Sequence, residues 1–289
     1  MKRILTSVLA IVMACFCLAS CKQSEKKDLT SATSLADLKG AKIAAQSGTF
    51  HADAVNQIEG VVSSVYPDFT DLLVALNSGA IDGYVAEEPT ALAVCAENSG
   101  LTYVKLKNND TGFTAGAEDV GIAIGCKDGS SLVEQINAVL DEIPQETKDA
   151  LMAQMVSLSM GENVDELALK SEKPAQTTGT LKVGMECGYE PYNWTETGEK
   201  TIGCVPISGE GKSGLYANGY DVQIAQYVAN KLGLELEIYS YKWDSLLPAV
   251  QSGAIDAIVA GMSPTAEREK EIDFTKTYWE SNLVVIIKK

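Results

Sequence analysis

The chain has 289 residues, which is enough for about two domains at ~150 residues each. Hydrophobic residues make up 46% and charged residues 21%, a composition typical of globular proteins rather than disordered, collagen-like or disulfide-scaffold chains. The net charge of -16, with no long basic run, argues against a nucleic-acid partner, and the single histidine, His51, excludes a multi-histidine metal site.

The N-terminus is typical of an exported protein. Lys2 and Arg3 precede an apolar stretch over residues 4–18, which is too short for a spanning helix and predicts a signal peptide over residues 1–20. The segment LASC at residues 18–21 resembles a bacterial lipobox, which implies that Cys21 is lipidated and becomes the mature N-terminus. Residues 21–33 are then expected to form a flexible tether, and the protein to be extracytoplasmic and anchored by lipid to the bacterial cell membrane.

The cysteines beyond Cys21 are Cys95, Cys126, Cys187 and Cys204, and no CxxC pair occurs among them. Export permits disulfides, and Cys187 with Cys204 is the most plausible pair because both lie in one loop-rich region. Spacing alone does not establish the geometry that a disulfide needs, so the pairing stays open.

Short β-branched runs alternate with helical patterns along the rest of the chain, which predicts an α/β architecture with largely parallel sheets. The predicted strands cover residues 42–45, 81–86, 120–125, 181–184, 235–239 and 255–260. The predicted helices cover residues 71–78, 131–143, 146–156, 221–232 and 245–252.

One segment occurs twice. LLVALNSGAIDGYVA at residues 72–86 and LLPAVQSGAIDAIVA at residues 246–260 are identical at ten of fifteen positions. Each copy predicts a helix that ends at a glycine and a strand that follows it, so the chain is expected to have two lobes with the same unit. Loops are expected after the strands, at residues 87–90 and 261–265, where open α/β sheets bind ligands.

Several blocks carry a resemblance to a known family: GYDV at residues 219–222, WDSLLP at 243–248, SPT at 263–265 followed by Arg268, and DFT at 273–275. The chain resembles the polar amino-acid-binding proteins of ABC importers, which are family-3 extracellular solute-binding proteins. The resemblance covers nearly all of residues 34–289, apart from about 160–179. It implies a two-lobed α/β fold of the type II periplasmic-binding-protein kind, whose lobes close on the ligand.

The order of these blocks departs from the family. The block LKVG at residue 181 normally begins the mature protein, and the block LADLKG at residue 35 normally follows a segment like residues 283–289. The resemblance therefore implies a circular permutant with a new linker over about residues 160–179. It implies a smaller lobe over residues 34–117 and a larger lobe over 118–289. Only one covalent crossing of the chain between the two lobes is expected to remain. The C-terminus is expected to complete the second hinge strand beside the start of the smaller lobe.

The resemblance also implies how a zwitterionic ligand is held. Arg268, the only arginine after the signal peptide, matches the family's carboxylate ligand, and its guanidinium suits bidentate carboxylate binding. Ser263 and the Gly261 carbonyl match the other contacts of the larger lobe. From the smaller lobe, the turn that contains Ser47 and Thr49 follows a strand and is expected to open a helix whose N-terminus receives the same carboxylate.

The ammonium and the side chain of the ligand have their own expected contacts. Glu87 aligns with the acidic ammonium ligand of the family, which is usually Asp, and the extra methylene leaves open whether Glu87 or Glu88 makes the contact. Tyr189 and Trp243 match two aromatic walls that sandwich the ligand side chain. Glu186 matches a position that meets the far end of a long side chain, which favours Lys or Arg.

The sequence is therefore interpreted as a substrate-binding lipoprotein of an ABC transporter. It is expected to be a monomer that captures a free polar amino acid, Lys or Arg, for permease membrane subunits, with no enzymatic activity, cofactor or metal. Two alternatives stay open: a same-fold enzyme such as a cyclohexadienyl dehydratase-like lyase, with Glu186 or Glu87 as proton donor, and an extracellular sensory module. Product formation would indicate the enzyme, and the identity of the membrane partner would separate the other two.

Overall fold

The computed structural model describes residues 27–199 and 201–289; the expected signal peptide and the lipidation site Cys21 lie outside the described residues. The described chain has the predicted α/β architecture, but its sheets are mixed and not largely parallel as expected. Its strands are, in chain order, β1 (Lys42–Gln46), β2 (Val62–Tyr66), β3 (Gly83–Glu87), β4 (Leu101–Val104), β5 (Gly121–Ile122), β6 (Gly125–Lys127), β7 (Thr180–Met185), β8 (Gly188–Tyr189), β9 (Asn193–Thr197), β10 (Val205–Ser208), β11 (Leu215–Asn218), β12 (Glu235–Ser240), β13 (Ala257–Ile258), β14 (Ile272–Phe274), β15 (Trp279–Glu280) and β16 (Leu283–Lys288).

The helices agree with the predicted ones within a few residues and add others that the sequence pattern did not indicate. They are α1 (Phe50–Val55), α2 (Phe69–Ser78), α3 (Glu88–Glu97), α4 (Ala117–Val120), α5 (Leu132–Leu140), α6 (Gln145–Ser159), α7 (Tyr220–Leu232) and α8 (Trp243–Ser252). Short 3₁₀ turns form at Leu35–Leu38 and Arg268–Lys270.

Two sheets form the centres of two lobes. The sheet of the small lobe has the order β2-β1-β3-β16-β4, and that of the large lobe has the order β14-β6-β13-β7-β12-β10-β11-β9-β8. In the small lobe β1 is parallel to β2 and β3, and in the large lobe β7 is parallel to β12 and β13. One antiparallel strand lies next to the last parallel strand in each, β16 beside β3 and β6 beside β13. The five strands of the small lobe thus have the same arrangement as β12-β7-β13-β6-β14 of the large lobe.

The repeated segment explains part of this equivalence, because it has the same structure in both lobes. Helices α2 and α8 end at Gly79 and Gly253, whose φ angles of 79° and 76° are left-handed and suit glycine. The Asp side chain that follows accepts a backbone hydrogen bond at the start of the central strand, Asp82 from Lys42 at 2.9 Å and Asp256 from Lys182 at 2.8 Å. The prediction of one shared helix-glycine-strand unit is confirmed.

The chain crosses between the lobes twice, which corrects the expectation of one covalent crossing. Residues 105–124 lead from β4 of the small lobe to β6 of the large lobe, and residues 275–282 lead from β14 back to β16. The two crossing segments pair with each other through β5 and β15. The predicted strand over residues 120–125 is accordingly divided into β5 and β6. Strand β16 lies between β3 and β4 of the small lobe, so the predicted larger lobe over 118–289 does not hold its last strand and β16 does not lie beside β1.

Two segments expected to be solvated pack against the lobes instead. Leu29, in the predicted tether, is 3% exposed and joins a core cluster with Leu38 and Ile287 of the small lobe. The expected linker over residues 160–179 contains no helix or strand but lies on the large lobe, since Gln154 bonds to the backbone of Glu166 and Ala168. Within residues 27–199 and 201–289, no helix has the length and apolar character that crossing a lipid bilayer requires.

Candidate functional site

A small cavity lies where the two lobes meet, and most of the expected binding residues line it. Its lining residues are Gln46, Thr49, Phe50, His51, Phe69 and Glu87 from the small lobe and Tyr189, Trp243, Gly261, Ser263 and Arg268 from the large lobe. The cavity volume is about 10 Å³, the space that one water molecule needs. A ligand of amino-acid size can therefore enter only when the lobes separate.

Arg268 contributes a partly buried cation to this cavity. Its Nη1 donates to the Ser263 carbonyl at 2.8 Å, and its Nη2 donates to the Gly48 carbonyl of the small lobe at 2.6 Å. The guanidinium also lies over the Trp243 ring, 5.2 Å from its centroid. Burial lowers the pKa of Arg268 to about 10 because the charged form loses hydration, and no carboxylate of the described residues forms an ion pair with it. An anion that enters the cavity would compensate this partly buried charge.

Glu87 contributes an anion from the opposite lobe. It is the last residue of β3, and α3 begins directly at Glu88, so the loop expected at residues 87–90 does not exist. Its Oε1 lies 2.9 Å from Nε2 of His51, and its buried Oε2 has no hydrogen-bond partner. Glu88 points elsewhere and pairs with Lys105 at 2.7 Å. Of the two candidate acids, Glu87 is the one that lines the cavity.

The aromatic side chains are arranged differently from the expected sandwich. The Tyr189 ring stacks on Phe69 of the small lobe at 4.2 Å and on Tyr192 at 4.9 Å, so Phe69 already covers one face of Tyr189. Trp243 is also in the cavity wall, where its Nε1 donates to the Gly48 carbonyl at 3.4 Å. Phe69 is therefore an aromatic wall residue that the sequence analysis missed.

Glu186 follows β7 and reaches across the lobe boundary. Its two carboxylate oxygens accept hydrogen bonds from Nε2 of Gln46 at 3.0 and 3.2 Å. Burial raises the pKa of Glu186 to about 7, the charges of Asp68 and Asp244 add to this shift, and the Gln46 bond opposes it. A cation that displaced the Gln46 amide would favour the ionised carboxylate.

The small-lobe turn has the expected helix but different contacts. Helix α1 begins at Phe50 after Thr49, and the Thr49 hydroxyl donates to the Gln46 carbonyl at 2.8 Å. Ser47 is not among the lining residues; its backbone N–H donates to the Tyr66 carbonyl at 2.8 Å. Between them, Gly48 adopts a φ of 67° and presents its carbonyl to the large lobe.

Three cavity residues besides Phe69 were not expected from the sequence: His51, Gln46 and Phe50. His51 is the only histidine of the chain and comes two residues after Thr49, a signal that was used only to exclude a metal site. Gln46 directly follows a predicted strand, and in parallel sheets such positions often face ligands. Within the described ranges, no group of three or more potential metal ligands occurs. Cys187 is a free thiol, so it forms no disulfide with Cys204.

Comparison with known proteins shows that part of this chain is similar to a protein family. Residues 181–289 match the model of the bacterial extracellular solute-binding proteins, family 3. The similarity to that family is therefore shown for these residues, which make up less than half of the chain. They hold β7 to β16, and with them the large-lobe cavity residues from Tyr189 to Arg268, the nearby Glu186 and the strand that returns to the small lobe.

Individual relatives cover less than half of the chain. The arginine-binding extracellular protein ArtP of Bacillus subtilis is 38% identical over 109 residues, 38% of this chain and 36% of ArtP. The "Probable histidine-binding protein" of Campylobacter jejuni is 36% identical over 115 residues, 39% of this chain and 38% of that protein. A solved structure, the ancestral amino acid-binding protein AncCDT-1, is 30% identical over 34% of this chain and 36% of its own, with a TM-score of 0.27. The chain thus spans less than half the length of the curated relatives it matches.

Proposed function

We propose that this protein captures a free amino acid outside the cytoplasm and delivers it to the membrane permease of an ABC importer. The family of residues 181–289 supports this proposal, as do relatives named for binding arginine and histidine. The cavity between two lobes that are joined by two crossing segments suits a receptor that closes on its ligand.

The pairing of Arg268 and Glu87 in one buried cavity is the observation that carries the proposal. A guanidinium without an ion-pair partner suits a carboxylate, and an unpartnered carboxylate oxygen suits an ammonium. The two groups lie on different lobes, so a zwitterion that contacts both would stabilise the closed arrangement. Ser263, Gly261 and Thr49 are proposed to contribute further polar contacts, and Ser47 to act through the backbone of the turn.

The proposed ligand is Lys or Arg. Glu186 is a third charged group near the cavity, and the aromatic rings of Tyr189, Phe69 and Trp243 are suited to the apolar stem of a long side chain. A cationic head group at Glu186 would replace the Gln46 amide. A short neutral side chain would leave Glu186 without that charge partner.

We further propose that the chain is a circular permutant anchored through Cys21. The family match lies at the C-terminal end of this chain, over residues 181–289. Residues 287–289 line one surface depression together with residues 27–30, so the chain end lies close to the segment that leads into the small lobe. In the order of blocks that the family has, Lys289 would be joined to the segment that begins at residue 27, and this requires the two to lie close together. A variant that begins at residue 180, continues from Lys289 into residue 27 through a short linker and ends at residue 160 should fold and bind; failure to fold would contradict the permutation.

A thermal-shift panel of the common amino acids, followed by calorimetry, tests the binding function. A ligand that binds only the folded state raises stability by RT ln(1 + [L]/Kd), or about 2.7 kcal/mol at one hundred times Kd. Lys or Arg should give the largest shift. The function is refuted if no amino acid shifts the melting temperature, whereas a largest shift with glutamine refutes only the specificity.

The same experiment separates binding from catalysis. The proposed receptor has no catalytic residue, so chromatography of the released ligand should recover it chemically unchanged. Accumulation of a product that depends on Glu186 or Glu87 would support a lyase instead. Copurification with an importer permease rather than a signalling partner would separate the receptor from a sensory module.

A further inference from the structure

The side chain of Asp221 connects three parts of the molecule that ligand binding must coordinate. Asp221 lies in the first turn of α7, has no exposed surface and belongs to none of the expected ligand contacts. Its carboxylate accepts a hydrogen bond from the Tyr278 hydroxyl at 2.6 Å and another from the Asn193 side-chain amide at 2.8 Å. The backbone N–H of Gly261 faces the same carboxylate and lowers its pKa.

The first of these partners lies in a crossing segment. Tyr278 directly precedes β15, and its backbone N–H donates to Ile122 of β5 in the other crossing segment at 2.9 Å. Beyond β15 the chain continues into β16 of the small lobe. The Tyr278 hydroxyl therefore ties the large-lobe end of the hinge to Asp221.

The other two partners lie in the cavity wall. Gly261 lines the cavity, and a Cβ atom built on it would lie 3.0 Å from the Tyr189 ring, so the two residues are in close contact. Asn193 accepts the backbone N–H of Cys187 at 2.8 Å through its Oδ1 and thereby closes the loop that carries Tyr189. The carboxylate of Asp221 therefore interacts with both sides of the contact between Gly261 and Tyr189: with Gly261 directly, and with the Tyr189 loop through Asn193.

We propose that Asp221 is a positioning residue that couples the cavity wall around Gly261 and Tyr189 to the hinge at Tyr278. When a ligand moves the wall, the rigid connection through Asp221 transmits the displacement to the crossing segments, because each partner lies on a different chain segment. Burial raises the pKa of this carboxyl to about 7, and its interactions with Tyr278, Asn193 and the Gly261 N–H oppose that shift. This inference rests on the proposed amino-acid binding.

The Asn193 partner offers a test by exchange. Asp221→Asn keeps the shape but replaces one acceptor oxygen by an amide donor, so either the Asn193 amide or the Tyr278 hydroxyl loses its acceptor, since Asn193 needs its own oxygen for the Cys187 N–H. The double variant Asp221→Asn/Asn193→Asp again sets a donor against an acceptor. With L-arginine as probe, the single variant should bind at least tenfold more weakly than the wild type by calorimetry. The double variant should recover to within about threefold.

Two further variants separate positioning from general stability. Tyr278→Phe keeps the carboxylate and the ring but removes the hydroxyl, so it should weaken arginine binding three- to tenfold and reduce the ligand-induced compaction seen by solution scattering. It also provides the test if Asp221→Asn does not fold. Gln223→Leu is the matched control: it removes buried hydrogen bonds to Gly203 and Asn218 from the same helix α7, lies outside the crossing segments and the cavity lining, and should lower the melting temperature without changing affinity.

The outcomes distinguish this inference from the function on which it rests. A wild type that binds arginine, with wild-type affinity in Asp221→Asn or Tyr278→Phe, overturns the role of Asp221 and leaves the binding function intact. A double variant that folds but binds no better than Asp221→Asn also overturns it. A wild type that binds no amino acid refutes the binding function itself.

Discussion

The charge state of Glu186 should link both stability and ligand affinity to pH. Burial raises its pKa from the ordinary value of 4.5 to about 7. At about 1.4 kcal/mol per pKa unit, the buried carboxylate destabilises the ligand-free protein by at most ~3.5 kcal/mol when it is ionised. Between pH 4.5 and 7 the folded state binds more protons than the unfolded state at this site, so this contribution to the free energy of unfolding falls as the pH rises through that window.

Glu186→Gln removes the charge and keeps the size of the side chain. The variant should therefore melt at a higher temperature than the wild type at pH 8, and the difference should shrink at pH 5. Arginine affinity should rise with pH, whereas the contribution of Glu186 to stability falls with pH. With a pKa of 7, only ~1% of the carboxylate is ionised at pH 5, so arginine affinity should rise by up to about a hundredfold between pH 5 and pH 8.

Calorimetry with L-arginine and L-glutamine at pH 5, 6, 7 and 8 measures this dependence. At pH 8 Glu186→Gln should weaken arginine binding ten- to a hundredfold, since a charged hydrogen bond contributes roughly 1.5–3 kcal/mol. The arginine affinity of Glu186→Gln should depend less on pH than that of the wild type. The glutamine affinity should change much less with pH in both proteins. Unchanged arginine affinity in Glu186→Gln at pH 8 would refute the assigned role of Glu186.

Three other variants test the site and the fold. Arg268→Ala should weaken binding of an amino acid by roughly 2–5 kcal/mol in calorimetry while the fold is retained, and affinity within threefold of the wild type would contradict the assignment of Arg268. His51→Leu leaves Glu87 buried without its partner and should lower the free energy of unfolding by ~1–3 kcal/mol in urea titrations, whereas His51→Gln, which keeps a donor, should lose less; equal losses would show that the hydrogen bond is unimportant. Deletion of residues 283–289 removes five buried aliphatic side chains worth roughly 1.5–3 kcal/mol each, so circular dichroism and hydrogen exchange should show an unfolded small lobe; unchanged melting would mean that β16 is misassigned.

Local sequence was sufficient for the elements whose signals lie within a few residues. The helix-glycine-strand unit was predictable in both lobes, because left-handed Gly79 and Gly253 end helices that have an apolar face. The cavity residues that follow recognisable motifs, such as Arg268 and Trp243, were also predictable. Their positions depend on the ends of strands and helices, which local patterns indicate well.

Contacts between distant segments were decided only by the tertiary structure. Strand β16 is a run of apolar residues that could pair with several strands, and its place between β3 and β4 follows from the second crossing of the chain rather than from its own pattern. The choice of Glu87 over Glu88 depends on the direct transition from β3 to α3, which directs one carboxylate to His51 and the other to Lys105. Phe69 and Gln46 enter the cavity wall because the lobes approach each other there, and the partners that they meet, Tyr189 and Glu186, are more than a hundred residues away in the chain. Short-range patterns determine which elements form, but burial at the lobe boundary determines which side chains share a site.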